Sequence, residues 1–121
     1  MYSEKAIDHF RNPRNLGVLK NPDGKGVAIE PSCGDSVYIY LRVEDNVISD
    51  IKFESMGCAG LIASSSMLTE LVKGKTIDEA LKLSRGEVEE GLGGLPPIKA
   101  YAPSLAERAL YGAIQDYLQK K

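Results

Sequence analysis

The chain changes its hydrophobic period once, at Gly57, and that change restricts the folds open to it. Before it, Val37, Ile39, Leu41 and Val43 alternate with Tyr38, Tyr40 and Arg42, and Ile51 and Phe53 alternate with Lys52 and Glu54. Period-two alternation of this kind is a strand with one buried face. After it, Leu61, Leu68, Leu71 and Val72 recur at helical spacing. Strands first and helices afterwards predict an α+β fold, a three-stranded antiparallel sheet with helices packed on one face.

Local signals place the elements. Ser3 caps a short first helix with Ala6, Ile7 and Phe10 on one side, and Asn12-Pro13 ends it. Residues 12–26, dense in Asn, Pro and Gly, read as an extended loop. A short strand at Val27 to Glu30 follows, then the run around residues 37–43 and a strand from about Val47 to Ser55. Asp45-Asn46 makes the tight turn between the last two, because both side chains tolerate left-handed backbone. Gly74 stops the helix after Gly57. Thr76 with Glu79, Ser84 with Glu87 and Ser104 with Glu107 each match a capping box. The third opens the best helix, with Leu105, Ala109, Ala113, Ile114 and Tyr117 on its core side. Gly91-Leu92-Gly93-Gly94-Leu95-Pro96-Pro97 reads as an exposed loop. At 121 residues, with no linker or repeat, the expectation is one domain, 1–121.

Charge and cysteine usage exclude several function classes. Fifteen Lys and Arg face seventeen Asp and Glu, without a basic stripe, which argues against nucleic-acid binding. The first residues, Met1-Tyr2-Ser3-Glu4-Lys5, have no apolar stretch behind a basic head, and no apolar run nears the roughly 18–20 residues of a membrane span. The expected compartment is the cytoplasm, where two cysteines are thiols, ligands or redox groups rather than a structural disulfide.

Both cysteines stand where glycine breaks regular structure. Cys33 lies in Pro31-Ser32-Cys33-Gly34-Asp35, and Cys58 in Gly57-Cys58-Ala59-Gly60. Glycine lets backbone approach a bound group closely, and a helix start favours thiolate, the form that binds metal or attacks sulfur. A cysteine is often only a small buried hydrophobe, and without a C-x-x-C pair the metal signal is weak. Asp35 adds a hard oxygen donor, or else caps a turn. His9, the only histidine, reads as a surface or packing residue, so no His-based triad or zinc site is available. Ser64-Ser65-Ser66 reads as capping and filling, and no P-loop or dinucleotide fingerprint is present.

Several blocks stand out: Tyr2-Ser3-Glu4-Lys5, Asp8-His9-Phe10, Asn12-Pro13-Arg14-Asn15, Cys33-Gly34-Asp35, Gly57-Cys58-Ala59-Gly60, Ile62-Ala63-Ser64-Ser65-Ser66, Val72-Lys73-Gly74-Lys75, Leu95-Pro96-Pro97-Ile98-Lys99 and Leu105-Ala106-Glu107. Taken together, they resemble the U-type iron–sulfur cluster scaffold family, IscU and the N-terminal domain of NifU. They occur in the family's order across nearly the whole chain. The resemblance implies a small antiparallel sheet with packed helices. It also implies a scaffold that is not an enzyme, receiving sulfur from a cysteine desulfurase and passing a [2Fe–2S] cluster to acceptor proteins. Cys33, Asp35 and Cys58 match three of the family's four ligand positions, and Leu95, Pro96, Pro97, Ile98 and Lys99 match the segment gripped by an Hsp70-type chaperone. A Pro-Pro stretch is extended and poor in internal hydrogen bonds, which suits capture as an open strand.

One departure accompanies the match. Where the family has His-Cys before the last helix, this chain has Tyr101-Ala102, then Pro103. Ala102 offers no donor, and a tyrosine with its ordinary pKa of about 10 is a reluctant phenolate. Three function classes follow. The first is a scaffold or carrier holding iron or a [2Fe–2S] cluster, with a homodimer or an external thiol completing the ligand set. The second is a zinc- or iron-binding metallochaperone domain. The third is a non-metal partner of the desulfurase or chaperone, and the retention of Cys33, Asp35 and Cys58 argues against it.

Overall fold

The computed structural model describes residues 2–121. Chain order is α1 (Glu4–Arg11), β1 (Gly24–Ile29), β2 (Ser36–Glu44), β3 (Val47–Met56), α2 (Ala59–Val72), α3 (Ile77–Leu81), α4 (Arg85–Gly91), a 3-10 turn at Pro97–Lys99, and α5 (Tyr101–Lys120). The strands form an antiparallel meander in the order β1-β2-β3. Asp45 and Asn46 turn the chain between β2 and β3 at φ +53° and +64°, the left-handed pair a two-residue hairpin needs.

The inward face of the sheet is set by the alternation. Val37, Ile39, Leu41, Ile51 and Phe53 are fully buried and meet Leu61 and Leu68 of α2 with Leu105, Ala109 and Ile114 of α5 in one apolar cluster. The other face carries Lys25, Tyr38, Tyr40 and Glu54, with the Tyr40 hydroxyl donating to Glu54 at 2.7 Å.

Helix α5 lies so close on β1 that side chains are excluded between them. A Cβ at Gly24 would stand 2.3 Å from the Ala113 carbonyl oxygen, and one at Gly26 would stand 2.2 Å from that of Ala109. Gly24 faces Ala113 and Tyr117 while Gly26, further along the strand, faces Ala109, so α5 runs antiparallel to β1. Its N-terminus therefore comes to the sheet end where β1 passes into β2. Strand β1 accordingly starts at Gly24 rather than at Val27, and it ends at Ile29, after which the Glu30 N–H donates across the loop to Asp35. Those glycines are weak strand formers chosen by the helix above them.

Other boundaries differ from the sequence expectation for equally local reasons. Helix α5 starts at Tyr101, one turn before the Ser104–Glu107 box. Pro103 is accommodated in the first turn, where its missing N–H has no carbonyl to reach. Within 91–97, Gly91 completes α4 and Leu92 is fully buried, and Pro97 opens the 3-10 turn. In α1, capped by Ser3, the buried residues are Ala6 and His9, while Ile7 and Phe10 are 38% and 43% exposed. His9 is buried because Ser66 of α2 offers it a partner, Nδ1 lying 2.7 Å from Ser66 Oγ. Thr76 and Glu79 form the full reciprocal box, and Ser84 caps α4 by accepting from the Glu87 N–H. Among the described residues, no helix is long and apolar enough to cross a membrane.

Candidate metal site at the open end of the sheet

Strand register assembles the site. Ser36 pairs with Met56 at the last rung of β2 and β3, so Asp35 and Gly57 face each other as the strands end. Gly57 leaves room for this. A Cβ there would lie 2.7 Å from Asp35 Cγ, inside any permissible contact. The β1–β2 connection is a tight loop in which the Glu30 N–H donates to the Asp35 carbonyl and the Gly34 N–H to the Glu30 carbonyl, both at 2.7 Å. Gly34 takes φ +77°, with nothing within 4 Å of the position a Cβ would occupy.

Cys33 stands exposed on this loop. Cys58, half-buried, is the residue that caps the start of α2, and its thiol makes no capping bond. The carbonyl of Cys58 accepts from Leu61 and Ile62 at 3.1 and 3.2 Å, so the backbone begins the helix while the side chain is left for other work.

Tyr101, brought in by α5, joins two of the three expected ligands. Its hydroxyl donates to Asp35 Oδ2 at 2.6 Å, and the same oxygen lies 3.5 Å from Cys58 Sγ. The hydrogen bond to Asp35, followed by the one with Cys58 and by burial, pushes the phenol well above the usual tyrosine range. Asp35, Cys58 and Tyr101 thus share one hydrogen-bonded group, and Cys33 lies on the adjacent loop outside it. Among the described residues, no three His, Cys, Asp or Glu side chains are gathered into a metal-holding group. Ala102 is fully buried and contributes no donor.

The segment Leu95-Pro96-Pro97-Ile98-Lys99 leads into the same region. Ile98 is 79% exposed and Pro97 exposed, while Leu95, Pro96 and Lys99 are half-buried. Lys99 Cβ and the Tyr2 hydroxyl each come within 3.3 Å of where a Gly60 Cβ would sit, so the segment packs over the start of α2. Sequence reasoning weighed Tyr101 only as a reluctant ligand. No spacing in the sequence links positions 35, 58 and 101, since their meeting depends on register and on the direction of α5.

The NifU-like N terminal domain model matches residues 1–121. The chain belongs to that family. Among its relatives, an iron–sulfur cluster assembly scaffold protein IscU of Archaeoglobus fulgidus is 55% identical over 120 residues, covering 99% of this chain and 78% of that one. The IscU of Aquifex aeolicus is 48% identical over 122 residues, with 99% and 78% covered. That of Escherichia coli K12 is 45% identical over 124 residues, with 99% and 96% covered. Among solved structures, the N-terminal part of a NifU-like protein from Brucella abortus aligns with TM-score 0.74 at 25% identity, over 98% of this chain and 95% of that one. A proposed scaffold protein of the SUF system from Fervidobacterium islandicum aligns with TM-score 0.78 at 26% identity, over 93% and 96%. As a NifU-like chain, this protein keeps the α+β frame of its relatives.

Proposed function

We propose that this chain is an iron–sulfur cluster assembly scaffold rather than an enzyme, carrying iron or a [2Fe–2S] cluster as cargo on Cys33, Asp35 and Cys58. The observation that carries the reading is the meeting of Asp35 and Cys58 beside the exposed Cys33 loop, at the end of a sheet whose relatives are named scaffolds. The donor set suits the cargo. Two sulfurs satisfy a soft or borderline metal, and one carboxylate adds a harder, more readily exchanged oxygen. The same donors suit zinc in the isolated protein.

With Ala102 buried and donorless, one chain offers three first-choice ligands to a cluster that takes four. A homodimer pooling Cys33 and Cys58 from each copy supplies four thiolates, and an external thiol completes a single site in the same way. Sulfur arrives from a cysteine desulfurase and the cluster leaves to acceptor apo-proteins. The exposed Pro97-Ile98 face of Leu95–Lys99 is the grip for an Hsp70-type chaperone. The whole operates in the cytoplasm as one domain, 1–121, without nucleic acid or membrane.

Anaerobic reconstitution with Fe²⁺ and sulfide tests the reading, followed by iron and sulfide analysis and a visible absorption spectrum. The expected product is a [2Fe–2S] spectrum with one cluster per dimer, absent in Cys33→Ser and Cys58→Ser. Equal iron and sulfide retention in both variants would overturn the site.

A further inference from the structure

Among the described residues, Tyr101 is the side chain hydrogen-bonded to both Asp35 and Cys58, and its hydroxyl has a single proton to give. The 2.6 Å separation from Asp35 Oδ2 is the length of a charge-assisted O–H···O⁻ bond, so the proton goes to the carboxylate. The 3.5 Å contact with Cys58 Sγ is then made by the thiol donating to the phenol oxygen. Asp35 is held through Oδ2 while Oδ1 keeps its lone pairs.

We propose that Tyr101 is a positioning residue, a neutral phenol that clamps the Asp35 carboxylate by one oxygen and keeps the Cys58 sulfur beside it, leaving Asp35 Oδ1 to ligate. The inference rests on the assignment of Asp35 and Cys58 as metal ligands and adds how they are oriented. A carboxylate with both oxygens free rotates about its terminal torsion. One fixed by a donor meets an incoming cation in a single orientation, which is how outer-shell partners raise metal affinity. The phenol acts here through its hydrogen bonds and does not itself bind metal.

The clamp is tested with Tyr101→Phe, which keeps the ring and removes only the hydroxyl. In the metal-free chain under anaerobic conditions, both cysteines are alkylated with iodoacetamide and followed separately by mass spectrometry. Loss of the bond to the phenol should speed Cys58 alkylation about fivefold, the weight of one net hydrogen bond, with Cys33 unchanged as the internal control. Zn²⁺ affinity, titrated against a chromophoric chelator, should fall on balance, because loss of the Asp35 clamp, roughly 10–100-fold as for other outer-shell losses, exceeds the about fivefold gain from a freer Cys58 thiol. An unchanged ratio of Cys58 to Cys33 rates, or an equal acceleration of both thiols, overturns the clamp. Undiminished Zn²⁺ affinity overturns it as well. A visible phenolate-to-iron band in the Fe³⁺-loaded natural chain that disappears in Tyr101→Phe would make the phenol a ligand and likewise overturn it. If the natural chain takes up no Zn²⁺ at all, the ligand assignment fails by itself, and the alkylation ratio still decides the clamp.

Discussion

The two ends of the sheet are built on opposite terms. At the end where β2 turns into β3, backbone groups are paired closely. Ile48 donates to the Lys75 carbonyl at 2.8 Å, Gly74 donates to that of Ile48 at 2.8 Å, and Ile77 donates to that of Asn46 at 3.0 Å. Thr76 and Glu79 complete their box there. At the opposite end, α2 and α5 both begin without a side-chain capping bond, and the nearby polar side chains engage one another instead. The closed end ties strand backbone to a neighbouring helix start, whereas the open end brings the side chains of Asp35, Cys58 and Tyr101 against one another. Substitutions should therefore separate cleanly, with metal effects at one end and folding effects at the other.

The largest effect should come from the thiols. Cys58→Ser and Cys33→Ser should each weaken Fe²⁺ or Zn²⁺ retention by at least about 100-fold, beyond the range of outer-shell changes, with thermal unfolding little altered. A chelator titration beside a melting curve checks this, and a large fall in melting temperature without metal loss would break the contrast. Next, Tyr101→His with Ala102→Cys should supply the absent thiol and allow one [2Fe–2S] cluster per monomer, read from iron and sulfide content and sedimentation. Ala102 is already helical within the first turn of α5, so the following Pro103 does not force it into extended backbone.

At the closed end, Asn46→Val forces a β-branched residue into φ +64° and should cost about 1–2 kcal/mol in denaturant unfolding, with metal affinity unchanged. Thr76→Ala removes a cap and should cost about 1 kcal/mol. The smallest effect concerns His9. Burial, and next the nearby Arg14, hold its pKa below the ordinary value of 6.5. The unfolded chain thus takes up this proton first as acid is added. The stability tied to neutral His9 is complete above about pH 6.5 and declines as pH falls through the lower folded value. His9→Gln should flatten that part of the stability profile, and an unchanged slope would remove His9 as its source.

Much of this division is legible in the sequence. The alternation at 37–43 and 51–54 and the Asp45-Asn46 turn dictate the hairpin locally, and glycines around Cys33 and Cys58 marked where ordinary packing gives way. What escaped the sequence depends on distant partners. The glycines of β1 make sense only beneath α5, and the burial of His9 only beside Ser66. The Ser104–Glu107 spacing imitates a helix start because a box is a four-residue signal, indifferent to a helix that has begun one turn earlier. Tyr101 was visible as a departure from the family pattern, but its reach to Asp35 and Cys58 was not, since no local rule spans 66 residues.

The contact of α5 with Gly24 and Gly26 has a mechanical consequence. Because carbonyls of the helix rest on glycine backbone, α5 works as a rod riveted to the sheet midway along its length. Position 101 lies eight residues from the rivet at Ala109, a lever of about 12 Å whose tip sits at the Asp35–Cys58 pair. Leu105, Ala106 and Ala109 behind the tip are fully buried as well, so the rod is held by its inner face rather than by the side chain at 101. The donor at 101 can therefore be exchanged like a fitting on a fixed arm, changing the chemistry offered to the cargo while the frame stays where it is.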